Sequence, residues 1–76
     1  MEANANRCSL SEREFQIMEL VSVGKYNKEV ADKLEIQPGT ITKHLQHIFQ
    51  KMRVQNRTEA TLKFLEMTGK LILVEE

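Results

Sequence analysis

The stretch Leu34–Val54, LEIQPGTITKHLQHIFQKMRV, decides how the rest of the chain is read. It holds the only proline, Pro38, and both histidines, His44 and His47. From Ile36 to Thr58 there is no Asp or Glu, although the 76 residues carry 11 acidic and 11 basic side chains. Such a segment in a balanced protein is either a buried core helix or a surface meant for something negative. Periodicity separates the two. Pro38 suits the first position of a helix, where its missing N–H costs nothing, and the pattern predicts a helix from about Pro38 to Met52. At about 100° per residue, Ile41, Leu45, Ile48 and Met52 fall in one narrow stripe, with Phe49 at its edge. The opposite side carries Thr42, Lys43, Gln46, His47, Gln50 and Arg53. The helix therefore has a core stripe and a wet face, and the wet face is polar, basic and free of acid.

Upstream, LSEREFQIMELVSVG predicts a helix from about Glu12 to Val23. Ser11 and Glu14 have capping-box spacing, and Leu10 and Phe15 occupy the hydrophobic-staple positions. Gly24 suits the left-handed position after the helix. YNKEVADKLEI predicts a shorter helix capped by Asn27, with Val30, Ala31 and Leu34 inward. Downstream, QNRTEATLKFLEMTGK predicts a fourth helix, with Asn56 as cap, Glu59 three residues on and Gly69 at the end. Its apolar residues form two groups, Leu62 with Leu65 and Ala60 with Phe64 and Met67. One face suffices for a surface helix. The second is covered either by the tail Leu71–Val74 folding back or by a second chain.

These readings give an all-α class: a compact four-helix domain over residues 10–70, with a polar leader (1–9) and a C-terminal tail (71–76). A domain this small buries a modest core and leaves little material for an internal catalytic cavity. Cys8 has no partner cysteine, so neither an internal disulfide nor a cysteine metal cluster is expected, and a reducing, cytoplasmic setting is. No apolar run approaches the roughly 18 residues of a membrane span. His44 and His47 lie three apart but lack a third ligand nearby, so no metal and no other cofactor is expected. No nucleophile–base pair, phosphate-gripping glycine loop or paired carboxylates appear, so no catalytic residues are assigned.

Two helices joined by a tight turn, the second with a basic outer face, describe a helix-turn-helix. Between Ile36 and Thr58 the formal charges are Lys43, Lys51, Arg53 and Arg57, while acids gather at Glu12, Glu14, Glu19, Asp32 and Glu35. Zero net charge thus hides a one-sided field of the kind that meets nucleic acid.

The segments LSEREFQIMELVSVGKYNKEVADKLEI, TITKH and KMRVQNRTEA, taken in order from Leu10 to Ala60, resemble the LuxR-type (GerE, NarL/FixJ-like) DNA-binding domain of bacterial transcription regulators. The resemblance implies that the third helix reads double-stranded DNA and that the fourth contributes to a homodimer. By motif position, base-reading candidates are Thr42, Lys43 and Gln46. Phosphate candidates are Asn27, Lys28, Thr40, His44, His47 and Arg57. Dimer candidates on the fourth helix are Leu62, Phe64, Leu65 and Met67. RNA polymerase and a receiver domain elsewhere in the polypeptide are further partners of the expected regulator, which is either stand-alone or the output domain of a two-component response regulator. The chain departs from the pattern at Tyr26 and Gln37, where Ser or Thr and Ser are usual, at Thr42, where Lys is common, and at Arg53, where Gly or Lys is common. Rival readings are a sigma-factor region and a protein-interaction module or antagonist that uses the fourth helix and has lost DNA binding.

Overall fold

The computed structural model describes residues 10–69. They form α1 (Glu12–Ser22), α2 (Asn27–Leu34), α3 (Pro38–Met52) and α4 (Arg57–Met67), with no strand among them. The leader, Cys8 and the Leu71–Val74 tail lie outside the described residues.

Each helix begins where its local chemistry supplies acceptors for the first unpaired N–H groups. At α1 the capping box is complete: Ser11 Oγ accepts from the Glu14 N–H (3.1 Å), and Glu14 Oε1 accepts from the Ser11 N–H (2.9 Å). At α4, Asn56 Oδ1 accepts from the Glu59 N–H, while the Glu59 carboxylate reaches one residue further back, to the Gln55 N–H. At α2 the structure corrects the expected cap. Asn27 is the first helical residue and Tyr26 is the cap, with no bond from its side chain. A phenol is too long to reach the adjacent turn, so only the reciprocal half of a box forms: Glu29 Oε1 accepts from the Tyr26 N–H at 2.8 Å.

The ends of α1, α2 and α3 share one device. After α1, the Gly24 N–H bonds Val21 O and the Lys25 N–H bonds Leu20 O, the paired bonds of a Schellman turn. Gly24 has φ 97°, which only glycine adopts without steric cost. The same pair recurs after α2 (Glu35 N–H to Asp32 O, Ile36 N–H to Ala31 O) and after α3 (Arg53 N–H to Gln50 O, Val54 N–H to Phe49 O). There the left-handed residues are Glu35 (φ 58°) and Arg53 (φ 60°). Arg53 is therefore not part of the α3 wet face, because the helix has already turned back on itself at that residue. Each turn delivers an apolar residue, Ile36 or Val54, to the edge of the core.

The core is built from one face of every helix. Ile17, Met18 and Val21 of α1, Val30 and Ala31 of α2, the predicted stripe Ile41, Leu45, Ile48 and Met52 of α3, and Ala60 and Phe64 of α4 are all buried. The Phe15 and Phe64 rings meet edge to face, with centroids 4.9 Å apart, a favourable arrangement for the two quadrupoles. Here the two apolar groups on α4 separate. Phe64 is fully buried, so it has no surface to offer a second chain and leaves the expected dimer set. Leu62 is 50% exposed, and Leu65 and Met67 are half-buried.

Candidate nucleic-acid interface

Only Glu35, Ile36 and Gln37 separate α2 from α3, and the two helices pack closely on each other. With Ile41, Leu45, Ile48 and Met52 buried, α3 can rotate no further inward. Thr42, Lys43, Gln46 and His47 are consequently all exposed, and His44 is half-buried at the margin of the same face. Thr40 is exposed in the first turn, which contains no acid. The Thr42 hydroxyl donates back to Pro38 O at 3.4 Å, which leaves its methyl and its oxygen lone pairs for an outside partner. Gln37 makes no side-chain cap; its carbonyl accepts from the Thr40 and Ile41 N–H groups, Pro38 has no N–H, and the Gly39 N–H is left at a helix start whose partial positive charge favours an anion.

Not every cation in the acid-free run is available. Lys51 Nζ bonds Glu14 Oε1 at 2.8 Å, joining the end of α3 to the start of α1. Burial by itself pushes the Glu14 carboxyl up. The Lys51 hydrogen bond, the Ser11 N–H, the Lys51 charge and the Ser11 hydroxyl together outweigh it and hold the group below the ordinary carboxylate value. Arg57 is also committed. Its guanidinium donates to Asn27 Oδ1 at 2.7 Å and to the Lys25 carbonyl, joining the start of α4 to the loop between α1 and α2. The structure thus brings the phosphate candidates Asn27 and Arg57 together as partners. Lys63 donates to Met52 O at 2.8 Å and closes the end of α3. These ties link residues up to 37 positions apart, and no local pattern announces them. Lys43 on α3, Arg53 just beyond its end, Lys25 in the loop before α2 and Lys28 in the first turn of α2 are exposed cations.

Among the described residues no group of three His, Cys, Asp or Glu side chains could hold a metal ion, and no helix is long and apolar enough to cross a membrane. A groove of about 300 Å³ lies between the end of α1 and the start of α4, with Val21, Gly24, Arg57, Thr61 and Leu62 in its wall. Val23, 69% exposed, follows Ser22 of that wall in the chain.

A three-residue turn, a buried stripe and an acid-free outer face on the second helix of the pair define a helix-turn-helix domain. Residues 8–64 match the family described as bacterial regulatory proteins, luxR family, and the chain belongs to that family. It is 40% identical over 57 residues to the transcriptional regulatory protein DesR of Bacillus subtilis, which covers 75% of this chain and 29% of DesR. It is 33% identical over 60 residues to the nitrate/nitrite response regulator protein NarP of Escherichia coli (79% of this chain, 28% of NarP). To the oxygen regulatory protein NreC of Staphylococcus carnosus it is 40% identical over 50 residues (66% and 23%). The chain therefore spans less than a third of the length of these relatives.

Proposed function

We propose that this chain is the double-stranded DNA-binding part of a bacterial transcription regulator. The observation that carries the reading is the division of α3 into a buried stripe and an exposed, acid-free face. Thr42, Lys43 and Gln46 are turned out as a group that fits base edges in the major groove: Lys donates to guanine, and Gln pairs with adenine through two bonds. Thr40, Lys28, His44 and His47 flank them as phosphate contacts. Asn27 and Arg57 act on the backbone through the ordered start of α2 that they form between them. Affinity comes mainly from phosphate neutralisation and specificity from α3.

The functional unit in this reading is a cytoplasmic homodimer on two half-sites, with Leu62, Leu65 and Met67 of α4 at the contact between copies. A receiver domain occupies part of the remaining polypeptide, as the length of the relatives and the description of NarP as a response regulator support. RNA polymerase is the further protein partner of such a regulator, and no catalytic step or cofactor takes part.

The second reading, a protein-interaction module that no longer binds DNA, draws on exposed Val23 and Leu62 and the groove between α1 and α4. Selection of bound sequences from random duplex DNA, followed by a salt titration on the enriched site, decides between them. Enrichment of one motif, with affinity falling steeply as salt rises, is the expected outcome. No enrichment, with salt-insensitive binding to a protein, favours the second reading.

A further inference from the structure

Three of the four aromatic side chains serve the core: Phe64 is buried, and Phe15 and Phe49 pack against it. The fourth, Tyr26, is 75% exposed. An exposed tyrosine is unremarkable on a mobile loop, but this one stands on a backbone held from several directions. Its N–H donates to Glu29 Oε1 and its carbonyl accepts from the Val30 N–H at 2.9 Å. The residues on either side are gripped by one guanidinium, since Arg57 binds the Lys25 carbonyl and the Asn27 side chain. Its phenol makes no hydrogen bond among the described residues. The side chain does nothing for the cap it occupies, and its neighbours Lys25 and Lys28 are exposed cations.

A rigidly mounted, unpartnered phenol between two lysines is suited to a polyanion passing close to α2. We propose that Tyr26 is a DNA-backbone contact of this domain, its hydroxyl donating to a phosphodiester oxygen beside those held by Lys25 and Lys28. The assignment rests on the DNA-binding reading and adds to it a contact made by a neutral donor. Tyrosine belongs among the side chains that donate to phosphate, and the rotational freedom it loses on binding is small beside that of a lysine. Because the donor carries no charge, it releases no counterion, so its contribution is independent of salt. Arg57 is the positioning residue for this contact, because it holds the backbone on both sides of the tyrosine.

The test uses the duplex enriched from random sequence and compares wild type with Tyr26→Phe, which removes one oxygen from an exposed side chain and leaves the thermal midpoint unchanged. The expected result is binding weaker by roughly three- to tenfold, with the slope of log affinity against log salt unchanged. Ethylation of phosphates in the duplex is expected to interfere at one fewer position for the variant than for wild type. Binding within about twofold of wild type, with every interfering phosphate retained, overturns the assignment alone. A wild-type chain that binds no duplex overturns the DNA-binding reading and this assignment with it.

Discussion

Replacing Lys51 by Met tests the link between the two ends of the fold. Met retains an apolar stem of similar length and removes only the ammonium. Glu14 would remain with 8% of its side chain exposed, keeping the Ser11 N–H as donor but losing the opposite charge. A fully buried pair broken in this way costs about 3–5 kcal/mol, and an exposed pair about 0.2–1 kcal/mol. The Lys51 side chain is 40% exposed, so water screens its half of the interaction, and the expected loss is about 1.5 kcal/mol at neutral pH. For a domain of this size that is a fall of roughly 6–12 °C in thermal midpoint. The pH dependence follows from the lowered pKa of Glu14. A carboxyl whose folded pKa lies below its unfolded value stabilises the fold fully above the unfolded value, and the contribution is lost as pH falls through the folded one. Lys51→Met should therefore show its full deficit at neutral pH and progressively less of it as acid carries the solution below the ordinary carboxylate range and through the lowered folded pKa of Glu14. Thermal melts followed by circular dichroism at the two extremes provide the comparison. A variant that melts with wild type at neutral pH, or whose deficit is the same in acid, refutes the reasoning.

Lys43→Ala should weaken binding to the enriched duplex without changing the melt. If Lys43 holds a phosphate the salt slope falls by about 0.9, if it reads a guanine the preference at one position relaxes, and an unchanged affinity removes it from the interface. Arg53→Gly should raise stability by about 0.5–1 kcal/mol in a denaturant titration, because the left-handed φ of 60° strains any residue with a Cβ, and part of the gain is offset by glycine's freer unfolded state. Equal or lower stability would show that the arginine side chain has a compensating contact. Leu62→Asp should leave the fold intact and shift sedimentation towards monomer, and a wild-type chain that is monomeric at all concentrations and binds single half-sites refutes the dimer.

Much of this fold was legible because its signals are local. The bounds of α3 follow from Pro38 and from the stripe ending at Met52, and those of α4 from Asn56 and Gly69. The reading failed where the terminator was not the usual residue. A helical wheel carries Arg53 onto the wet face although it lies one residue past the expected end at Met52, because the wheel extends helical geometry to a residue that adopts the left-handed conformation. Asn27 looked like the cap because a tyrosine side chain cannot reach the first turn, yet Tyr26 holds the cap position, its N–H donating to Glu29 Oε1 while its own side chain makes no capping bond. The exposed set on α3 follows from spacing alone. The pairing of Lys51 with Glu14 and of Arg57 with Asn27 does not, since opposite charges or amides 30 and more residues apart have many candidate partners in any sequence.

That internal pairing bears on how such a domain would move among wrong sequences. Two of the four cations in the acid-free run are turned to holding helices together, and the 76 residues as a whole carry no formal net charge. Non-specific affinity grows with the number of phosphates neutralised, so few free cations mean short stays on unrelated DNA. Orientation on approach would rest on the exposed cations, Lys43 on the acid-free face of α3 among them, because a locally positive surface steers a domain towards a polyanion even when its net charge is zero. A domain of zero net charge would sample the genome by frequent brief landings, and the proposed dimer would supply the dwell time that one copy alone lacks.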